Sequence, residues 1–359
     1  MDKIKKLKKF WKNKRVFITG HSGFKGSWLC IMLKTFDAKI YGYSLPPDKN
    51  SLFNQAGLET LIYKNYYKDI RDYKSLNNSI QKTKPQIIFH LASQAIVSNS
   101  FMNPYENFDT NLNGTLNLLE IIRKNKLIKS ALFITTDKVY KNDNKKVRFK
   151  EKNYLEGKDP YSASKVCQEI LTSAYEKSFF SKTKLKGKIS TVRSGNVIGG
   201  GDYSYNRLIP DILRALSDKK DLIIRNPKHI RPWQHVIEPL HGYLLLAQKQ
   251  YENHLLNKEP IWNFGPRRQN FVNVKRICEI FKKYEKKLKT KVLKNSYNKY
   301  SESKILMLDS EKSRKFLGWK PILNIDESIY KILEWNYLKK KAGVYETSVK
   351  QIKDYFRLY

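Results

Sequence analysis

Two short stretches carry residue types that could do proton chemistry together. The first is Ile134-Thr135-Thr136-Asp137-Lys138-Val139-Tyr140, apolar at its start and ionisable at its end; the second is Tyr161-Ser162-Ala163-Ser164-Lys165. A phenol and an amine four residues apart fall on one face of a helix. There the ammonium lowers the phenol's pKa from its ordinary ~10, so that the phenolate can serve as a base. Such a pair is common on solvated helices, and it gains meaning from its surroundings. Thr136 offers a hydroxyl, Asp137 a carboxyl and Lys138 a second amine. An acid role for Asp137 requires its pKa to rise from ~3.9, which burial favours and a cationic neighbour opposes. A base role for Lys138 requires ~10.4 to fall toward neutrality, which burial and the like charge of Lys165 favour.

These groups need a strand that ends in a cleft and a helix beside it. Upstream, Arg15-Val16-Phe17-Ile18-Thr19 is a strand-type run leading directly into Gly20-His21-Ser22-Gly23-Phe24-Lys25-Gly26 and an apolar-periodic segment, residues 28–36. Glycines at a strand-to-helix turn allow conformations and approaches that a Cβ would block, and the helix start offers free N–H groups to a pyrophosphate. A second strand spans residues 39–43. The acidic residue expected at its end, about 20 residues after the glycines, is replaced by Tyr43-Ser44-Leu45-Pro46-Pro47, which leaves NAD and NADP both open. A third strand ends in Asp69-Ile70, where Asp69 could accept from an adenine amino group or simply be a solvated turn residue. A fourth, residues 86–91, runs into His90-Leu91-Ala92-Ser93-Gln94; His90 alone reads as a core histidine.

Residues 107–125 carry helical periodicity, with Asn111 as a buried amide bridging strands or organising a water. Residues 131–136 form a fifth strand, 141–159 a charged loop, and Asp159-Pro160 opens the Tyr161 helix. A sixth strand, 189–193, leads into Ser194-Gly195-Asn196-Val197-Ile198-Gly199-Gly200-Gly201-Asp202. Beyond it come a helix at 207–216, a short strand at 222–225 and a loop at 226–235. A smaller lobe follows from about residue 287, with a helix at 311–317 and two more helices. The β-α alternation predicts an α/β fold with a Rossmann-type doubly wound parallel sheet. The smaller, interwoven α/β lobe is the expected substrate-binding part. The expected division is residues 1–196 for dinucleotide binding, joined by part of 236–270, and 197–235 with 271–359 for substrate.

Hydrophobic residues are 40% of the 359 and neither repeats nor low-complexity tracts occur, so the chain is read as globular. The formal charge of +37 raises nucleic acid or an anionic membrane as a partner. The lysines, however, are spread over the whole chain, and the joint abundance of Asn, Ile and Tyr fits compositional drift. The lysine-rich N-terminus reads as a solvated lead-in rather than an amphipathic arm. Cys30, Cys167 and Cys278 show no CxxC spacing, which argues against disulfides and structural zinc; no metal is expected. No apolar run approaches a membrane span, and the expected compartment is the cytoplasm.

With these residues laid out, the whole chain resembles the extended short-chain dehydrogenase/reductase family, in its NAD-dependent epimerase/dehydratase branch. The resemblance rests on the glycine turn through Ser27-Trp28, Thr136-Asp137-Lys138, Tyr161 to Lys165, the Arg193 to Asp202 segment, and Ile230-Arg231-Pro232-Trp233-Gln234-His235-Val236. It implies NAD held by Gly20, Gly23, Phe24, Lys25, Gly26, Asp69, Ile70, Leu91, Ala92, Tyr161 and Lys165. It implies a sugar nucleotide, CDP-glucose, met by Asn196, Arg207, Arg231 and His235. Catalysis falls to Thr136, Asp137, Lys138, Tyr161 and Lys165: oxidation at C4, loss of water across C5 and C6, and return of hydride to C6. The thymidine-linked dehydratases have a glutamate where Lys138 stands, so the base role of Lys138 competes with a charge-stabilising one. A homodimer through the helices near Asn107 and Tyr161 is also implied. Rival readings are a 4-epimerase, which has no use for the Asp137/Lys138 pair, and a silent NAD-binding or nucleic-acid-binding protein.

Overall fold

The computed structural model describes residues 2–293 and 303–359. Twelve strands occur among them in chain order: β1 Arg15–Thr19, β2 Lys39–Ser44, β3 Lys64–Tyr67, β4 Ile87–His90, β5 Ser130–Ile134, β6 Ile189–Ser194, β7 Asn196–Ile198, β8 Leu222–Ile224, β9 Ile230–His235, β10 Ile261–Phe264, β11 Phe271–Asn273 and β12 Thr290–Val292. Seven of them form one sheet in the order β3-β2-β1-β4-β5-β6-β10, and every pairing is parallel. This is the expected Rossmann-type sheet, with the order reversing between β1 and β4 and so opening a crevice at the strand ends there.

Alternation along each strand sorts the core. Val16 and Ile18 of β1 join one apolar cluster with Trp28, Trp262, Trp319, Trp335 and Phe356. Phe17, between them, points to the opposite face and joins Leu118, Leu119, Ala131 and Phe133. Both faces of a parallel sheet must be covered by helices, which is why its strands read as unbroken apolar runs. The remaining strands make a three-stranded sheet, β11-β9-β7, and a β12-β8 pair. A third apolar cluster of Ile209, Ile212, Leu222, Trp233, Ile277, Phe281 and Ile332 underlies them.

Three local expectations are corrected. Residues 226–235 are not all loop: Ile230–His235 is the central strand of the small sheet, parallel to β7 and antiparallel to β11. Pro232 argued against this, since a proline cannot donate to a ladder, but distant partners override it. The 107–125 helix is three pieces, Pro104–Phe108, a π-type turn Asp109–Asn113, and Gly114–Lys124. The N-terminal lead-in is a helix, Asp2–Trp11, anchored by buried Leu7 and Trp11.

The last helices also build on the first half of the chain. Trp28, in the helix after the glycine turn, donates its indole N–H to the carbonyl of Gly200 at 2.9 Å. Trp335, from the helix Ile325–Ala342, lies against the other side of Gly200, where a Cβ would fall 2.2 Å from its ring. Phe356 of the final helix, Val344–Leu358, meets Phe36 edge-on with ring centroids 5.3 Å apart.

Candidate active site

The crevice at the ends of β1, β4 and β5 opens into a cleft of about 1270 Å³. Its floor is the glycine turn. Gly20 has a positive φ of 71°, and a Cβ there would lie 2.6 Å from the Ala92 nitrogen; at Gly26 it would lie 2.2 Å from the Gly20 oxygen. Gly23 is different: its nearest neighbour would be 3.5 Å away, and the missing Cβ leaves room at the start of the helix Phe24–Thr35. Two glycines are thus required by close packing and one leaves space for a ligand beside free N–H groups. That combination fits a pyrophosphate.

Thr136, Asp137, Lys138, Tyr161 and Lys165 all line this cleft, as do Phe24, Lys25, Asp69, Ile70, Leu91, Ala92, Asn196, Arg207 and Arg231. β5 ends at Ile134, and Thr136 caps the single turn Asp137–Val139, its hydroxyl oxygen accepting from the Lys138 N–H at 3.3 Å. The same hydroxyl donates to Asp137 Oδ1 at 3.2 Å and is hydrogen bonded to the Tyr161 phenol. Asp159 and Ser162 form a capping box at the start of the helix Pro160–Tyr175, which sets Tyr161 in its first turn. One turn on, the Lys165 ammonium donates to the Ile134 carbonyl at 3.1 Å and to Gln168 Oε1 at 3.0 Å.

Burial dominates the site's electrostatics. It raises Asp137 to about 6, against the pull of Lys138, Arg231, the Thr136 hydroxyl and Lys25. The Asp137 Oδ2 atom is buried without a hydrogen-bond partner. The carboxyl is therefore suited to holding and delivering a proton, as an acid role requires. Burial and Lys25 lower Lys165 to about 7. Among the protein's own groups burial dominates and raises Tyr161 to about 12, with the Thr136 hydrogen bond and the Arg207 charge acting the other way; the expected lowering rests on Lys165 together with oxidised nicotinamide. The enclosure that lowers the lysine penalises the phenolate as well.

Lys25 was legible only as part of the glycine motif. Its ammonium is buried, donates to Ser194 Oγ at 3.0 Å, and is lowered to about 8 by burial and by Arg207. Asp69 lines the cleft with its carboxylate held below the usual range by Arg71, which donates Nη2 at 2.6 Å and Nε at 3.0 Å. Ser44, at the position usually acidic, shares a 2.8 Å hydrogen bond with Ser22. Arg231 is buried rather than a surface ion pair; its Nη1 donates to the Ile230 carbonyl at 3.0 Å and its Nη2 lies 3.2 Å from His229 Nδ1. Arg207 reaches Asp202 at 3.2 Å from the half-exposed rim.

His235 is a correction. It is fully buried, packed edge-on against Trp28 with centroids 6.0 Å apart, and stands outside the residues lining the cleft. Arg231, Trp233 and His235 are alternate residues of β9 and share a face; Arg231 and Trp233 reach the cleft wall, whereas His235, at the strand's end, packs against Trp28 of the helix Phe24–Thr35. His90 is a core residue, its two ring nitrogens meeting Thr19 Oγ1 at 2.7 Å and Thr115 Oγ1 at 3.1 Å. Asn111 bridges segments: its Oδ1 accepts from the Gln94 N–H at 2.8 Å and its Nδ2 donates to Ser164 Oγ at 2.8 Å. The π-type turn that carries it is a geometry often found near functional sites.

A parallel doubly wound sheet with a glycine turn on its crevice and a Thr, Tyr and Lys cluster facing it defines a dinucleotide-dependent class of enzyme. The family model described as GDP-mannose 4,6 dehydratase matches residues 17–332. CDP-glucose 4,6-dehydratase of Salmonella typhimurium is 41% identical over 92% of each chain. Among solved structures, dTDP-glucose 4,6-dehydratase of Bacillus anthracis, in complex with NAD, superposes with a TM-score of 0.74 at 22% identity, covering 91% of this chain and 97% of that one. UDP-glucose 4-epimerase of Thermotoga maritima, with UDP-glucose, gives 0.75 at 21% identity, covering 91% and 99%. The chain belongs to the GDP-mannose 4,6 dehydratase family.

Proposed function

We propose that this chain is an NAD-dependent hydro-lyase that converts CDP-glucose to CDP-4-keto-6-deoxyglucose and water. The observation that carries the reading is the Asp137/Lys138 pair at the cleft, beside Thr136 and Tyr161 and with Asp137 Oδ2 buried and unpartnered. Kinship with the Salmonella enzyme, 41% identical over 92% of each chain, supports the cytidine-linked substrate. The cofactor's place is the glycine turn, where Gly23 leaves room beside the first helix's N–H groups. NAD supplies, when bound, the acceptor for the C4 hydride and its donor to C6.

Tyr161 takes the C4 hydroxyl proton, and Thr136 holds the same oxygen in line. Lys165 orients the cofactor's ribose and balances the phenolate that Tyr161 must be before it takes that proton. Oxidation at C4 makes the C5 proton acidic, and Lys138 removes it while Asp137 protonates the departing C6 hydroxyl. Lys138 then returns its proton to C5 as hydride reaches C6, and before the next turnover Tyr161 must release the proton it took while Asp137 regains the one it gave. Arg231 and Asn196 meet the diphosphate, with Arg207 at the rim; a planar guanidinium binds two phosphate oxygens at once. The sugar-nucleotide 4-epimerase alternative leaves Asp137 and Lys138 without a task.

Incubation with CDP-glucose deuterated at C4 tests the reading. A 4-keto-6-deoxy product with the label at C6 is expected; label retained at C4 of an epimer overturns it. The reading includes a cytoplasmic homodimer with no nucleic-acid or membrane partner. Exposed Tyr105 on the helix Pro104–Phe108 and Ile170 on the helix Pro160–Tyr175 support the dimer, and mass measurement in solution tests it. Among the described residues no helix is long and apolar enough to cross a membrane.

A further inference from the structure

Tyr140 stands three residues beyond Asp137, yet the reaction as written gives it no part. It is buried, its ring stacked on Phe149 with centroids 4.9 Å apart, and its hydroxyl donates to Asn263 Oδ1 at 2.7 Å. That hydroxyl also accepts from Arg193 Nη1 at 2.8 Å. Arg193 in turn is a buried partner of Glu169, through Nε at 2.9 Å and Nη2 at 3.0 Å. Glu169 lies on the same helix as Tyr161 and Lys165, one turn after the lysine. Its carboxylate also receives the hydroxyls of Thr135 at 2.5 Å and Thr191 at 2.6 Å.

One ion pair therefore fixes the Asp137–Val139 turn from both ends, through Thr135 before it and Tyr140 after it. The two ends differ in what they hold. Thr136, Tyr161 and Lys165 depend on the upstream end and on the helix, by way of Thr135, the Ile134 carbonyl and Gln168. Asp137 and Lys138 lie between the two anchors, and Tyr140 is the downstream one.

Resting on the dehydratase reading, we propose that Tyr140 is a positioning residue for elimination: tied to Arg193 and Glu169, it holds Asp137 and Lys138 in register with C6 and C5 while C4 oxidation proceeds without it. A displacement of about 1 Å at reacting groups can cost about a hundredfold in rate, so loss of this anchor slows water loss far more than oxidation.

The Tyr140→Phe variant of the full chain tests this, since it keeps the ring stacked on Phe149 and leaves the Arg193–Glu169 pair in place. In single-turnover reactions with C4-deuterated CDP-glucose, water loss is expected to slow about ten- to a hundredfold with C4 oxidation within about twofold of the parent. The near-ultraviolet absorbance of reduced nicotinamide then accumulates, while KM is unchanged. Amide hydrogen exchange in the ligand-free protein provides a second readout: faster exchange is expected across residues 137–142 and unaltered exchange across 161–170. Equal slowing of both steps, no change in either, or faster exchange in both segments overturns the proposal. The parent run under the same conditions tests the dehydratase reading separately, through label arriving at C6.

Discussion

Asp137 and Lys138 are neighbours in sequence, and the proposed reaction gives them opposite tasks. Lys138→Ala is expected to leave C4 oxidation measurable and stop water loss, read as reduced cofactor without 4-keto-6-deoxy product; undiminished dehydration removes Lys138 as the base. Asp137 carries a cost that stability measurements can detect. Its folded-state value of about 6 stands above the ordinary 3.8, so the folded chain holds an extra proton between the two. The stability this confers is complete below the lower value and lost as pH rises through the upper one. Above that window the charged, buried carboxylate costs about 3 kcal/mol, from about 2 units at 1.36 kcal/mol each. Asp137→Asn is therefore expected to raise the urea midpoint at about pH 8, to leave it unchanged at about pH 4, and to abolish water loss at both. A midpoint that falls at the higher pH contradicts this account.

At the level of elements, the glycine turn separates packing from binding. Gly26→Ala places a Cβ against the Gly20 carbonyl and is expected to destabilise the fold by about 1–3 kcal/mol, as overpacking does. Gly23→Ala has room in the protein itself and is expected to keep the parent's melting temperature while weakening NAD at least tenfold by calorimetry. Equal melting losses for the two would remove the distinction. The turn and the six strands of the main sheet's first part were legible because each sits in a local pattern: an apolar run, a glycine or proline stop, a periodic helix. β9 was not, because a strand containing Pro232 is stabilised by Asn196–Ile198 and Phe271–Asn273, both more than thirty residues away. Asp137, Tyr161 and Lys165 could be read as a group, but the direction of the Tyr161 shift could not, since a sequence shows which charges are near and not how deeply they are buried.

For the whole molecule, a charge of +37 acts on a doubly anionic diphosphate before any contact forms. Association steered this way weakens with ionic strength, so KM is expected to rise several-fold from low to high salt with kcat nearly constant. A salt-independent KM would confine the useful charge to Arg231, Arg207 and Lys25 in the cleft. The layout also sets an order of assembly. Gly200 is gripped between Trp28 near the start of the chain and Trp335 near its end, and Phe36 waits for Phe356. A ribosome releases the glycine turn and the whole Asp137 and Tyr161 region long before the residues that cover the outer face of the first helix exist. The nascent chain carries an unclad apolar surface until Trp335 and Phe356 have been made, and the interval before then is the one in which that surface is open to misassociation.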